Sequence, residues 1–267
     1  MQLLLQRPSS LSSLFSSSSA TEHYWIQCYC LRQRLLLLAA CPCKSLHIGP
    51  SGSGKTVALI RTLIDRDKLG GLFDAYHVFS PNIWVDSQYK ILGKYIQDQT
   101  GQKLEDCFHD TWDPGAIEQI IADQKKINSY LKKQKAERLL SIHITIDDFG
   151  ENMNVVKSNH SILNTLFVKG RHYQISTALL LQRFRLASPT IRYNAHALYV
   201  HKLSNTADRK ALSEEFGELL GDESIFTELL HRATSEKFGF LYVTLGSEPK
   251  FFSSYLTEFK VGAGSRE

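Results

Sequence analysis

The sequence predicts an α/β fold in which helices cover both faces of a wound, mainly parallel sheet. From Lys44 onward, short β-rich runs alternate with amphipathic helical segments, which is the pattern of strands joined by crossover helices. The 267 residues are 43% hydrophobic, which is enough to bury one core of ordinary size. Because no internal repeat or long linker interrupts residues 44–260, we expect one domain there.

The predicted elements follow from local composition. The strands are short runs rich in β-branched, aromatic or aliphatic residues: Ser45–Ile48, Ala75–Ser80, Ile142–Asp147, Gln174–Gln182, Ala197–His201 and Phe238–Leu245, with a further edge strand at Phe251–Leu256. The helices are the amphipathic segments between them: Lys55–Leu69, Val85–Thr100, Ala116–Arg138, Asn159–Lys169, Ala207–Phe216 and Ser224–Ala233.

The first predicted strand runs into a complete phosphate-binding signature, Gly-x-x-x-x-Gly-Lys-Thr. Its candidate nucleotide-binding residues are Gly49, Pro50, Ser51, Gly52, Ser53, Gly54, Lys55 and Thr56. Backbone N–H groups of such a loop surround a β-phosphate, and Lys55 supplies positive charge between the β- and γ-phosphates. The Thr56 hydroxyl is a ligand for Mg²⁺, and the helix that begins at Lys55 directs its positive dipole to the same phosphates. The sequence therefore predicts a P-loop NTPase that uses ATP and Mg²⁺.

A second signature lies at the end of the strand Ile142–Asp147, where two carboxylates follow an apolar run. This is typical of a Walker B element: Asp147 would hold Mg²⁺ opposite Thr56, and Asp148 would orient or deprotonate the attacking water. A βα unit, with its strand at Ala75–Ser80, lies between the two signatures along the chain. It suggests the division of P-loop proteins that places an additional strand between the two Walker strands.

A third signature is the apolar strand that ends in Gln182. An amide in this position could bond the attacking water or the γ-phosphate and so report its loss. An isolated glutamine would more simply cap the strand, but its place after both Walker elements favours a sensor.

Taken in order, four segments resemble the genome-packaging ATPases of large eukaryotic DNA viruses, virophages and Polinton-type elements. They are Gly49–Thr56, Ile144–Asp148, Gly170–Gln182 and Pro189–Asn194. These ATPases are similar to the poxvirus packaging ATPase and belong to the FtsK-HerA superfamily. The resemblance covers roughly residues 44–250, and the Gly-Arg-His at residues 170–172 followed by a strand ending in glutamine is its most specific part.

The resemblance implies a ring, usually a hexamer, that hydrolyses ATP between subunits and pumps double-stranded DNA into a capsid. It implies the catalytic residues Asp148 and Gln182, and an arginine, Arg171 or Arg192, that reaches a nucleotide. Arg171 has a second interpretation as a cation that stabilises the helix ending near Lys169. Many members of the superfamily have Glu where Asp148 stands, which is one methylene longer.

Contact with DNA has only partial support in the residues themselves. The formal charge of +4 neither requires nor excludes nucleic acid. The segment Lys125–Lys135 is a basic helical patch with Tyr130 among its lysines, and either a DNA-contacting surface or a solvated helix face explains it. If it binds DNA, it follows phosphates without reading sequence.

Residues 1–43 differ in composition from the rest. Eight of residues 9–19 are serine, and arginines outnumber acids, so an organelle-targeting segment and an extension without a fold are both open. Four of the five cysteines lie here as two Cys-x-Cys pairs, for which free thiols are favoured over a zinc site. A tail is expected at residues 261–267.

No stretch reaches about 18 apolar residues, so we expect a soluble intracellular protein of a virus factory, the nucleus or the cytoplasm, without a membrane partner.

Two other functions remain open. One is a nucleotide-binding switch or an inactive relic of a viral ATPase, and the other is a different P-loop remodelling ATPase. The intact Asp147, Asp148 and Gln182 argue against the relic.

Overall fold

Nine strands form one continuous sheet in the computed structural model, which describes residues 42–149, 162–220, 222–255 and 257–259. In chain order the strands are β1 (Lys44–Ile48), β2 (Ala75–Phe79), β3 (Phe108–His109), β4 (Ile142–Asp147), β5 (Ile175–Leu181), β6 (Ala197–His201), β7 (Phe240–Thr244), β8 (Lys250–Ser253) and β9 (Thr257–Phe259). Across the sheet their order is β3-β2-β4-β5-β1-β6-β7-β8-β9. The strands from β3 to β6 in this order are parallel, and β7, β8 and β9 continue the sheet antiparallel. The predicted α/β class with a mainly parallel sheet is confirmed.

The helices of the described residues lie between these strands. They are α1 (Lys55–Ile64), α2 (Ser87–Thr100), α3 (Leu104–Cys107), α4 (Pro114–Lys133), α5 (Ile162–Lys169), α6 (Pro189–Tyr193), α7 (Thr206–Gly217) and α8 (Glu223–Ala233). Short 3₁₀ turns occupy Gly170–Tyr173, Phe184–Leu186 and Glu218–Leu220.

Helices cover both faces of the sheet, and the alternation of side chains along β5 divides the interior into two cores. Ala178 and Leu180 belong to the core under α1 and α2. Leu179 and Leu181 belong to the core under α4, α5, α7 and α8. Because parallel strands are buried on both faces, β5 is apolar almost throughout, which is the pattern the sequence shows.

The strand that separates the two Walker strands is β5. Leu179 of β5 pairs with Leu46 of β1 on one side and with Ile146 of β4 on the other. The additional strand is therefore present, but it is β5 and not the strand at Ala75–Ser80, so that prediction was wrong. β2 lies on the far side of β4, because adjacency along the chain does not determine adjacency in a sheet that is wound in both directions.

Several helix boundaries differ from the predicted ones for local reasons. α1 ends at Ile64 and not Leu69, because Asp65 is extended and its carboxylate accepts a hydrogen bond from the Asp67 N–H. α4 begins two residues early, since Pro114 occupies the first turn and the Asp113 side chain caps the Ala116 N–H. It stops at Lys133, and Lys135 has the positive φ of a helix terminus.

Strand boundaries differ where the backbone turns left-handed. Gln174 has a φ of 61° and closes the preceding 3₁₀ turn, so β5 begins at Ile175. Phe238 has a φ of 65°, so β7 begins only at Phe240. The predicted edge strand Phe251–Leu256 overlaps β8, which ends at Ser253, and a further strand, β9, begins at Thr257. The elements α3, β3 and α6 were not predicted, because they are too short to show a period.

Most of the predicted leader, residues 1–41, and the predicted tail at residues 261–267 lie outside the described residues. The predicted start of the helix Asn159–Lys169 also lies outside them, and α5 is described from Ile162. Among the helices that the structure describes, none combines the length and apolar character needed to cross a membrane.

Because several histidines are buried, we expect the free energy of unfolding to fall in acid. Burial lowers the pKa of His143 to about 3, and it lowers the pKa values of His77, His196 and His201 to about 4. In the unfolded chain each histidine titrates near 6.5, so unfolding takes up protons below that pH. The stability these neutral histidines contribute is complete above about pH 6.5 and is lost as pH falls toward 4.

We expect His143→Phe to make the free energy of unfolding less dependent on pH. Between pH 6.5 and 4 the slope should fall by up to about 1.4 kcal/mol per pH unit, the value for one proton. Urea unfolding at a series of pH values measures this, with His231→Phe on the exposed face of α8 as the control. An unchanged slope in His143→Phe would show that His143 has the same pKa in the folded and unfolded protein.

Candidate active site

The P-loop connects the carboxyl end of β1 to α1 at the edge of the sheet where all the parallel strands end. The Gly49 N–H donates a hydrogen bond of 3.1 Å to the carbonyl of Leu181 in the neighbouring strand β5. A β-carbon on Gly49 would lie 2.7 Å from both the His201 Cβ and the Ser53 Oγ, so only glycine fits. Gly54 has a φ of 95° at the start of α1, a left-handed conformation that glycine adopts without strain.

Lys55 is buried within this loop. Its Nζ donates to the Gly49 carbonyl at 2.7 Å and to the Pro50 carbonyl at 3.0 Å. Burial lowers the pKa of Lys55, and the carboxylates of Asp147 and Asp148 oppose this by favouring the charged ammonium. The Lys55 charge is therefore held in the concavity of the loop, where a phosphate oxygen would replace the carbonyls as its partner.

Asp147 ends β4 beside the first turn of α1. Its Oδ2 accepts hydrogen bonds from the Thr56 hydroxyl at 2.8 Å and from the Tyr89 hydroxyl at 2.6 Å. Burial raises the pKa of Asp147, and the two hydroxyl donors and the Lys55 charge lower it. Tyr89, from α2, thus compensates part of the cost of placing a carboxylate in the sheet edge.

Asp148 is held from two sides. Its Oδ1 accepts a hydrogen bond from the Gln182 amide at 2.8 Å, and its Oδ2 accepts one from the Asn82 amide at 3.2 Å. The backbone of Asp148 has a φ of 62°, an unusual conformation for a residue other than glycine. This turn directs Asp148 away from the strand and toward the open side of the site. Asp147, by contrast, is buried.

One pocket brings these groups together. Its lining residues are Ser51, Gly52, Gly54, Lys55, Thr56, Val57, Ser80, Asn82, Asp86, Gln88, Tyr89, Asp147, Asp148, Gln182 and Phe238. The three sequence signatures, which are spread over residues 49–182, therefore meet at one site. Of the predicted P-loop residues, Gly49, Pro50 and Ser53 do not line the pocket.

Sequence reasoning missed Asn82, Tyr89 and Phe238. The position of Asn82 could have been predicted, because polar residues that follow a strand parallel to β4 lie at the same edge of the sheet as the end of β4. Tyr89 had none, since its position on α2 is indistinguishable from that of an ordinary core residue. Phe238 was assigned to the start of a strand and not to a loop over the site.

His201, at the end of β6, supports the P-loop from behind. Its Nδ1 lies 3.0 Å from the Ser53 carbonyl, which requires the proton on Nδ1. Burial, followed by the charge of Lys55, lowers the pKa of His201 to about 4. A neutral histidine therefore fixes the loop without adding a second positive charge beside Lys55.

The two candidate arginines do not join the pocket. Arg171 lies in the 3₁₀ turn before β5, at the amino edge of the sheet, where its charge is the second cause, after burial, of the lowered pKa of Lys44. Arg192 bonds to Glu215 at 2.9 Å and lies 4.8 Å from the centre of the Phe184 ring. Arg192 therefore ties α6 to α7, and neither arginine reaches the nucleotide site of its own chain.

Removing the Tyr89 hydroxyl should destabilise the fold, because the buried Asp147 carboxylate loses a hydrogen-bond donor. We expect Tyr89→Phe to lower the free energy of unfolding by about 1–3 kcal/mol at pH 7.5, the usual cost for a buried charged acceptor that loses a donor. The difference from the unsubstituted protein should shrink as the pH falls, because protonation of Asp147 removes the charge. Urea unfolding measures both, and Tyr130→Phe on the exposed face of α4 is the control. An equal effect of the two substitutions would contradict this role of Tyr89.

Solved structures with a similar fold include a viral protein. The genome packaging NTPase B204 from Sulfolobus turreted icosahedral virus 2, in complex with AMP, has a TM-score of 0.51 at 14% identity, covering 79% of this chain and 96% of that one. Its complex with AMPPCP gives the same TM-score, covering 79% and 97%. At such low identity the likeness concerns the fold.

Two curated viral proteins are related in sequence. Uncharacterized protein 088R of Invertebrate iridescent virus 3 is 25% identical over 197 residues, which are 72% of this chain and 66% of the relative. Uncharacterized protein 075L of Invertebrate iridescent virus 6 is 24% identical over 128 residues, 48% and 47% of the two chains. The chain thus spans about two thirds and about half the length of these relatives.

A family model described as Poxvirus A32 protein matches residues 33–209, well over half of the chain. The match contains the P-loop, both aspartates of β4 and Gln182, and it begins within the segment predicted as a leader. It confirms the resemblance that the ordered motifs predicted. The chain belongs to the Poxvirus A32 protein family.

Proposed function

We propose that this protein is an ATP-hydrolysing DNA translocase that packages double-stranded viral DNA into a capsid. The observation that carries the proposal is the 2.8 Å bond between the Thr56 hydroxyl and the Asp147 carboxylate, beside Lys55 in an intact P-loop. Membership of the Poxvirus A32 family and a fold shared with a protein described as a genome packaging NTPase support it. Complexes of that NTPase with ATP-gammaS and AMP favour ATP as the nucleotide.

The donor set at Thr56 and Asp147 fits Mg²⁺. A hydroxyl and a carboxylate oxygen are the hard ligands that Mg²⁺ takes alongside phosphate and water, and both line the pocket. When bound, Mg²⁺ neutralises charge on the β- and γ-phosphates. Tyr89 holds the Asp147 oxygen that Thr56 also contacts, so the carboxylate is oriented before any ligand enters.

Asp148 and Gln182 are the proposed catalytic pair for hydrolysis. Asp148 is positioned to accept a hydrogen bond from the attacking water, because each carboxylate oxygen retains a lone pair after its bond to Gln182 or Asn82. The Gln182 amide donates to the same carboxylate. A change in hydrogen bonding at the γ-phosphate would therefore reach β5 through the Gln182 side chain. This is the sensor role proposed for Gln182.

Completion of the site from a neighbouring subunit would explain where the catalytic arginine comes from. Arg171 and Arg192 remain the proposed residues, and both lie outside their own pocket. β1 has five residues, so the amino edge that carries Arg171 is separated from the P-loop by roughly 15 Å of strand. An arginine there can act only on the nucleotide of another copy, which fits a homo-oligomeric ring, proposed as a hexamer.

The proposed DNA contact is the basic end of α4. Its inner face is buried through Ile117, Ile121 and Asn128, whereas Lys132 and Lys133 are exposed in the last turn. Tyr130 beside them is 63% exposed. Exposed lysines without a described acidic partner suit phosphate contacts that do not depend on sequence.

Two substitutions separate nucleotide binding from turnover. Lys55→Ala should abolish ATP binding or weaken it severely, because it removes the charge between the phosphates. Asp148→Asn should bind ATP nearly as well as the unsubstituted protein and lose about 100-fold or more in turnover, because an amide cannot accept a proton. Calorimetric ATP binding and phosphate release measure the two effects.

Lys210→Ala and Asp123→Asn are matched controls, since both residues are exposed on other helices. They should change neither property. Equal loss of binding and turnover in Lys55→Ala and Asp148→Asn would contradict the separate roles. Tight ATP binding by the unsubstituted protein without turnover would favour a nucleotide-dependent switch.

Long double-stranded DNA should stimulate ATP hydrolysis, and the stimulation should fade as salt rises, because phosphate contacts release counterions. Lys132→Glu combined with Lys133→Glu should reduce the stimulation several-fold and leave hydrolysis without DNA unchanged. Lys90→Glu combined with Lys94→Glu, on α2, is the matched control. Hydrolysis that ignores DNA at every salt concentration would contradict translocation and favour a different P-loop ATPase.

A further inference from the structure

Phe238 is the one phenylalanine of the described residues that is mainly exposed, with 58% of its surface accessible. It nevertheless lines the pocket together with Gly54, Lys55 and Thr56. Leaving a large apolar ring in water at the mouth of a polar site sacrifices the free energy that burial would yield. The ring is therefore well placed for a ligand that covers it.

The backbone of the loop that carries Phe238 is strained at that residue. Phe238 has a φ of 65°, in the left-handed region that bulky residues avoid. The next residue, Gly239, passes so close to α8 that a β-carbon there would lie 2.5 Å from the Ala233 carbonyl. The turn is thus fixed from behind, and backbone strain of this kind is concentrated at ligand sites.

The sheet topology shows which part of a nucleotide would meet this ring. Asp148 and Gln182 follow β4 and β5, which lie on one side of β1, whereas Phe238 precedes β7 on the other side. Because β7 is antiparallel, its amino end lies at the same edge as the P-loop. A γ-phosphate directed to Asp148 leaves the nucleoside to extend past Gly54 toward Phe238.

Gly54 leaves room for this approach. A β-carbon on Gly54 would lie 3.3 Å from the Phe238 Cδ1, so the ring lies directly beside the start of α1. The ring makes no stacking contact with another aromatic side chain of the described residues, and Lys237 Nζ lies 5.0 Å from its centre. A face that attracts a cation is also a face on which a planar base can stack.

We propose that Phe238 is the platform on which the base of the bound nucleoside triphosphate stacks. This deepens the proposed function and rests on it, since it assumes that the P-loop binds a nucleotide. Stacking uses the face of the base and not its edges, so every purine meets the same surface. The platform therefore adds affinity with little discrimination between ATP and GTP.

The experiment compares a ligand that has a base with one that has none. The full chain and its Phe238→Ala, Phe238→Leu and Phe238→Tyr variants are titrated with Mg²⁺ and ATP, GTP or inorganic tripolyphosphate. Phe238→Ala and Phe238→Leu should weaken ATP and GTP about tenfold and leave tripolyphosphate within about twofold, because only the base loses its partner. Phe238→Tyr, which keeps the aromatic face, should bind all three like the unsubstituted protein.

Three results would overturn the inference while leaving the proposed function intact. Equal weakening of ATP and tripolyphosphate would make Phe238 a support for Gly54. Unchanged binding of all ligands would show that the base lies elsewhere, and loss of self-association without a binding defect would assign the ring to a subunit contact. If the unsubstituted protein bound neither ATP nor tripolyphosphate, the proposed function itself would fail and this inference with it.

Discussion

The site depends on the hydrogen bond between the Thr56 hydroxyl and the Asp147 carboxylate, which joins segments 91 residues apart. The bond requires that β1 and β4 end at the same edge of the sheet. In this fold β5 lies between them and pairs with both. The same strand places Gln182 beside Asp148, so the insertion of β5 positions a third polar group without any additional element.

The two aspartates of β4 are adjacent in sequence but have different environments. Asp147 is buried between two hydroxyl donors and has a raised pKa, whose largest cause is burial. Asp148 turns outward through a left-handed backbone and meets two amides. One carboxylate is thus held rigidly at the base of the site, and the other faces the space where a reacting group would lie. This difference supports separate roles for two chemically identical side chains.

The two edges of the sheet carry different chemistry. The carboxyl edge bears the P-loop, the aspartates and the exposed ring of Phe238. The amino edge bears Arg171 and Lys44, and Lys44 Nζ donates to the Phe167 carbonyl at the end of α5. In the proposed ring, this amino edge is the face from which Arg171 would reach the nucleotide of the next subunit.

The sequence by itself determined the parts of this protein that depend on short-range order. The glycines of the P-loop, the apolar strand ending in Asp147 and Asp148, and the strand before Gln182 are contiguous patterns, and each was found where the structure has it. The tertiary structure decided what depends on strand order and on turns. That β5 and not β2 separates the Walker strands, that Tyr89 holds Asp147, and that Phe238 lies in a left-handed loop over Gly54 could not be predicted. The physical reason is that these contacts join distant segments through packing, and packing leaves no period or motif in the local sequence.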